Sequence, residues 1–309
     1  MPNFIRQLSP TGLGVAVMLL GMLLFALNDA MGKWLVSTYS LGQVILIRSA
    51  AALIVLVPIL WRANISSVLR VERPMLQASR AMFSTAELFC FYFAVKALPL
   101  ADVMTYWLAA PIYVAALSPF LLGEKVGWRR WTAIAIGFVG VLIALKPSSA
   151  SLTPAALFSI LGSAAFAFMM LSGRQLRHTP DTVLAFWQII GAALAGIFAI
   201  AVTPDGWVPL KSGFDLSLLA LLGIVAMAAH MLVNRALKLA DAATVAPLQY
   251  TLLLWAVVFG WLMFGDIPQP SIVIGAGLIV LSGLYIFFRE NALKRRLATA
   301  ANAPLEDVV

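Results

Sequence analysis

Residues 25–35 read FALNDAMGKWL, and residues 166–176 read FAFMMLSGRQL. Phe-Ala, a Gly seven residues on from the Phe, a basic residue after it and a closing Leu recur at a shift of 141. The first copy carries Asn28 and Asp29 inside an apolar run, where the second has Met169 and Met170. A polar pair at that depth in a membrane is costly and marks a place to look for function. The duplication itself decides the architecture.

Working outward, the repeat continues. Ala97-Leu-Pro-Leu-Ala-Asp102 is answered by Ala236-Leu-Lys-Leu-Ala-Asp241, Leu122-Gly-Glu124 by Phe264-Gly-Asp266, and Gly140-Val-Leu-Ile by Gly283-Leu-Tyr-Ile. Apolar segments long enough for a hydrocarbon core about 30 Å thick fall at about 12–36, 41–61, 76–96, 101–122, 129–145, 154–173, 182–202, 216–236, 242–264 and 271–288. Five segments in each copy is an odd number, so the copies must lie upside down relative to each other. Such inverted repeats build transporters in which one half rocks against the other about a midplane site. The expected fold is therefore all-α integral membrane, ten transmembrane helices as two inverted five-helix repeats. Its units are 12–146 and 154–288, followed by a cytoplasmic tail over 289–309 that reads as disordered.

Composition agrees. The chain has 309 residues, 62% hydrophobic and only 11% charged, against about a quarter charged in soluble domains. The net charge of +8 lies in short connections and builds no basic face, which excludes nucleic acid as a partner. Cys90 is the one cysteine, so neither a disulfide framework nor a CxxC metal site is available. The first apolar run is too long for the core of a cleaved signal peptide and reads as a retained span. Fifteen Lys and Arg fall on the side of the amino terminus, and four (Lys33, Lys96, Lys146 and Lys211) on the other. That bias puts both termini in the cytoplasm.

The stretches ALPLADVMTYWLAAP at 97–111, LLGE at 121–124 and ALKLADAATVAPLQY at 236–250 resemble the drug/metabolite transporter superfamily. More narrowly they resemble its ten-helix branch with two EamA-type repeats, over about residues 12–288, with an impression of the riboflavin-uptake members. The resemblance implies carriage of a small metabolite across a bacterial inner membrane, with a site lined by both halves and with no cofactor. Members export amino acids and drugs, or import S-adenosylmethionine or riboflavin.

Several residues carry the chemistry. Asp29 and Arg48 each lie about seven residues from the outer end of their spans, so at about 1.5 Å per residue they share a depth and are expected to pair. Lys33, one turn from Asp29, competes for the same carboxylate. The pair is either a structural tie between spans one and two or a substrate clamp. Glu87, near the middle of span three, is the candidate for proton coupling, with a hydrogen-bonded structural glutamate as the alternative. His230 and Asn234 share a face of span eight and are candidates for substrate contact, as Asn28 is. Arg80 lies one turn into span three and reads as an anchor that snorkels to the cytoplasmic surface.

Aromatic residues form a second group. Tyr106, Trp107 and Tyr113 surround Pro111 in span four, and Tyr250, Trp255 and Gln249 surround Pro247 in span nine. Trp187 and Gln188 lie in span seven, with Gln188 opposite Arg48 at a shift of 140. Aromatic rings and amides beside proline bends suit a flat ligand, and ordinary helix packing is the alternative. Trp34, Trp61, Trp128 and Trp131 sit at span ends and read as an interfacial belt. Small residues in spans five and ten, Gly137, Gly140, Gly275 and Gly277 among them, allow close packing within the monomer or a homodimer.

Other function classes fare poorly. No GxxxxGK[ST] loop is present for ATP, no HExxH or GxSxG for hydrolysis, and the two histidines, His178 and His230, are far apart. The expectation is a secondary transporter with no metal and no enzymatic reaction. Its partners are a small-molecule substrate, planar and aromatic with riboflavin foremost, and the lipid bilayer.

Overall fold

A computed structural model of the protein describes residues 10–63, 68, 73–123, 128–145, 153–176, 178–204, 206–239 and 246–301. The regular elements among them are helical, the form in which a membrane segment satisfies every backbone group internally. In chain order they are α1 (Pro10–Val36), α2 (Leu41–Ala63), α3 (Pro74–Ala97), α4 (Leu100–Trp107), α5 (Ala110–Leu122), α6 (Trp128–Leu145), α7 (Pro154–Gln175), α8 (Asp181–Val202), α9 (Gly213–Leu239), α10 (Thr251–Phe264) and α11 (Pro270–Ala301). A 3₁₀ turn over Ala246–Tyr250 leads into α10.

Among the described residues, five helices are long and apolar enough to cross a membrane: Gly12–Val36, Leu41–Arg62, Pro154–Gly173, Asp181–Val202 and Gly213–Val233. Shorter apolar stretches run over Leu100–Val114, Trp131–Ala144, Leu248–Phe264 and Pro270–Ser282. The third expected span is the 24-residue α3, whose Arg80, Glu87 and Lys96 lower its hydropathy.

The starts and stops follow local chemistry. Pro74 and Pro154 open α3 and α7 at positions whose N–H would have no partner, and the Thr153 hydroxyl accepts from the Ala156 N–H at 3.3 Å. Gly123 and Gly265 end α5 and α10 with the same positive φ of 69°. These two belong to the repeated Gly-Glu and Gly-Asp motifs, so the same left-handed stop is used in both halves.

Two differences from the expected spans have physical causes. The fourth expected span is broken at Leu108–Ala109 into α4 and α5, because a proline at position 111 has no N–H for a helical bond. The ninth has its 3₁₀ turn around Pro247, which matches Leu108 at a shift of 139. The last helix runs past Phe288 to Ala301, because Ala, Leu, Glu, Lys and Arg dominate 289–301 and are strong helix formers.

The helices pair with a two-fold pattern. The largest contacts are α1 with α9, α3 with α7, α2 with α8 and α6 with α11. Exchange of the two halves turns the first pair into the second and leaves the others unchanged. The α6–α11 seam is made by small residues: a Cβ on Gly140 would stand 2.9 Å from the Gly275 carbonyl, and one on Gly275 2.5 Å from that of Gly140. Close packing of these glycines is thus used within one chain. Gly277 faces open space.

Core packing is uneven. The largest cluster joins Leu35, Val44, Tyr92, Leu100, Met104 and Leu219, at the ends of α1–α4 and α9 that face away from the amino terminus. Toward the other end the core divides into separate clusters, one with Leu56, Leu60 and Met227 and another with Met18, Met22 and Ala236.

Candidate functional site

Four helices of the first repeat converge on a cluster of ionisable groups. Asp29 comes from α1, Arg48 from α2, Glu87 and Tyr92 from α3, and Trp107 from the end of α4. Asp29 lies within electrostatic reach of both Glu87 and Arg48, and Glu87 within reach of Arg48. The Trp107 indole N–H donates to the Glu87 carboxylate. Asp29, Arg48 and Glu87 are each only partly buried. Two carboxylates against one guanidinium leave an excess of negative charge for a proton or a ligand to balance.

The pairing expected between Asp29 and Arg48 takes another form. Arg48 donates from Nη1 to the Tyr92 hydroxyl, and its guanidinium stands 5.6 Å from the centre of that ring, a cation–π arrangement. Tyr92 is 1% exposed and its ring lies against Gly32, where a Cβ would come within 2.5 Å. Arg48 is therefore held in place by a tyrosine that sequence reasoning passed over. Its signal was a hydroxyl five residues beyond Glu87.

Lys33 does not compete for Asp29. Its Nζ pairs with Asp266 at 2.6 Å and stands 4.5 Å from the Phe264 ring. Four residues past Asp29, the lysine has already reached the end of α1, where an acid in the other half is closer than one a turn behind.

Asn28 is a brace. It is 4% exposed and donates to the Leu222 carbonyl of α9 at 2.7 Å. Its next neighbour on α9, Gly223, faces the Arg48 backbone so closely that any Cβ would overlap the carbonyl. α1, α2 and α9 thus cross at one point directly behind the ionisable cluster.

Arg80 does not snorkel. Its Nη1 donates to the Leu184 carbonyl at 3.3 Å, and its charge acts on both Asp181 and His230. The α7 backbone approaches at Gly173, which leaves the guanidinium enclosed between α3, α7 and α8. His230 meets the edge of Phe25 at 4.7 Å and lies within electrostatic reach of Arg48. It is thus within electrostatic reach of both Arg80 and the cluster. Asn234 lies one turn further along α9, and its side chain is outside the described residues.

The aromatic group is dispersed. Trp107 packs edge-on against Phe91 at 5.4 Å and covers Glu87. Tyr106 is 6% exposed in the core shared by α4, α6 and α11, with Tyr250 packed at its edge. Tyr113 bonds Ser163. Gln188, Gln249 and Trp255 are half-buried. Trp187 donates to the Val68 carbonyl at 3.1 Å and lines a groove of about 710 Å³ between α3 and α8, with Ala81, Thr85, Gly191 and Ala195. Exposed Met82, Leu194 and Phe198 also line it, so it belongs to the outer surface and not to the cluster. Of this group, Trp107 reaches the Glu87 carboxylate. Trp34, Trp61, Trp128 and Trp131 are 42–75% exposed at helix ends.

Both halves of the chain, residues 12–146 and 153–288, match the EamA-like transporter family. The chain belongs to that family. Among its relatives, the S-adenosylmethionine uptake transporter of Rickettsia felis is 24% identical over 92% of this chain and 95% of its own. The riboflavin transporter of Rhizobium johnstonii is 27% identical over 92% and 94%. The pseudopaline exporter of Pseudomonas aeruginosa is 25% identical over 87% and 94%. A solved crystal structure, 21% identical, shares the fold with a TM-score of 0.56 over 89% of this chain and 96% of its own. In this EamA-like transporter the Asp29–Arg48–Glu87 cluster is supplied by the first repeat.

Proposed function

We propose that this EamA-like protein is a secondary transporter that carries a small planar aromatic metabolite, riboflavin foremost, across the bacterial inner membrane by alternating access. In this reading it has ten spans in two inverted halves, with both termini in the cytoplasm. Substrate sits beside Asp29, Arg48 and Glu87, with Trp107 at its edge and His230 on the cytoplasmic approach. Glu87 carries the coupling proton.

The observation that carries this reading is the Asp29–Arg48–Glu87 cluster itself. Three ionisable side chains from three helices meet at mid-depth, where each costs roughly 2.5–3.5 kcal/mol at a helix centre. A purely structural role is met more cheaply by apolar packing. Riboflavin is favoured by the Rhizobium relative named for it and by the indole at the cluster.

A second reading rests on the charge count. With two carboxylates to one guanidinium, the site also suits a substrate with a cationic centre, and S-adenosylmethionine, carried by the Rickettsia relative, is aromatic and bears a sulfonium. Export, as in the Pseudomonas relative, is the alternative direction. Uptake into proteoliposomes of labelled riboflavin, S-adenosylmethionine and tryptophan separates these. Saturable uptake of riboflavin alone supports the first reading and uptake of S-adenosylmethionine alone the second. Movement of none of the three sinks the aromatic-substrate proposal.

A further inference from the structure

The groove of about 710 Å³ between α3 and α8 takes no part in the ionisable cluster. Arg80 of α3 meets Leu184 of α8, and Thr85 meets Gly191 further on, so the two helices run side by side in one direction. Their approach is close at Gly191, where a Cβ would stand 3.3 Å from the Thr85 Oγ1 and 3.4 Å from the Ala81 Cβ. That contact is the floor. The walls are α3 from Ala78 to Phe89 and α8 from Trp187 to Thr203, roughly 16 and 24 Å of helix by the rise per residue. Small side chains leave the space open: Ala78 and Ala86 are exposed, and Ala195 is half-buried. Exposed Met82, Leu194 and Phe198 stand along the groove as well.

The lining offers little to a polar solute. The Trp187 indole N–H is spent on the Val68 carbonyl at 3.1 Å, and the Thr203 hydroxyl on the Ala199 carbonyl at 2.7 Å. The Thr85 hydroxyl has no partner, but it is buried at the floor beside Gly191. α8 is apolar enough to cross a membrane over Asp181–Val202, so a cleft along its exposed side opens on acyl chains. One leaflet of a hydrocarbon core about 30 Å thick is about 15 Å deep, close to the length of the shorter wall.

The end of the groove nearest the start of α3 is basic. Arg73 is exposed there, five residues before Ala78. Arg70 and Glu72 precede it, which leaves residues 70–73 with a net positive charge. Asp181, at the start of α8, has its charge answered by Arg80. We propose that the groove is a binding site for one anionic phospholipid, with an acyl chain lying between α3 and α8 and the phosphate at Arg73. A lipid so seated packs on the first and the second repeat at once. The site depends on the chain spanning a membrane and not on its cargo, so its failure would leave the transport reading untouched.

Native mass spectrometry of the detergent-purified full chain tests this, with equal amounts of phosphatidylglycerol and phosphatidylcholine of matched acyl chains added. The parent should retain one phosphatidylglycerol, preferred about fivefold over phosphatidylcholine, which is what one basic side chain near a membrane surface supplies. Ala195→Phe and Ala86→Phe fill the groove from its two walls and should each abolish the retained lipid. Arg73→Gln should keep a bound lipid and lose the preference. Ile136→Phe, on the exposed side of α6, should change neither. Retention at the parent's level in either filled variant overturns the proposal, as does a loss in Ile136→Phe as large as theirs. Equal retention of the two lipids by the parent, a preference that survives Arg73→Gln, or a second protein copy in place of lipid also overturns it. If Ala195→Phe does not accumulate, Ala86→Phe, at an exposed position, decides alone.

Discussion

Asn28 and Asp29 are neighbours in the chain with separate roles. Asn28 spends its amide on the Leu222 carbonyl, whereas Asp29 faces Glu87 and Arg48. Asn28→Ala should therefore cost about 1–2 kcal/mol, the usual loss when a buried hydrogen bond leaves its partner unmet, and leave substrate affinity unchanged. Thermal unfolding in detergent, compared with a binding titration, checks both halves of that statement. A weakened affinity with normal stability would return Asn28 to the site. At this scale the sequence was partly legible. Asp29, Arg48 and Glu87 stand out because charge is scarce in apolar runs. Tyr92 did not stand out, since a tyrosine in an apolar span is unremarkable until a guanidinium is found on it. Lys33 was misassigned because helical spacing shows neighbours on one element and not an acid 233 residues away.

Among elements, the crossing of α1, α2 and α9 is the point most sensitive to change. Gly223→Ala places a methyl group against the Arg48 backbone, where no side-chain rotation relieves it. It should abolish or sharply reduce folded protein, while Gly277→Ala, which faces open space, should be tolerated. Size-exclusion chromatography of the two fusions to a fluorescent reporter reads this directly. A monodisperse Gly223→Ala protein in parental yield contradicts the crossing described. The Gln43 side chain, which pairs with both the N–H and the carbonyl of Val208 at 3.0 and 2.9 Å, makes a second case. Gln43→Leu removes both bonds to Val208 and should expose residues 206–212 to protease added from outside, with no change at other connections. The fourth expected span shows where sequence reasoning stopped short. Pro111 reads as a bend on one helix, but the structure divides the segment altogether at Leu108–Ala109. How far a proline opens a helix depends on what packs against the freed carbonyls, which one segment's sequence does not contain.

For the whole molecule, the duplicated FALNDAMGKWL stretch turned out to be the most informative part of the chain. It implied two related halves, and helix pairing follows the two-fold pattern they require. The unequal polar content of the copies also persisted: the ionisable cluster belongs to the first repeat, and the second contributes Leu222, Gly223 and His230 around it. Substrate identity was not legible, because the relatives that share this fold differ in cargo and in direction. The most direct test of the central claim is uptake of labelled riboflavin into proteoliposomes, with and without an acid-outside pH gradient, in the parent and in Glu87→Gln. The account predicts saturable uptake that the gradient accelerates in the parent, and in Glu87→Gln retained binding with that acceleration lost. Gradient-driven uptake that is the same in both proteins would contradict it.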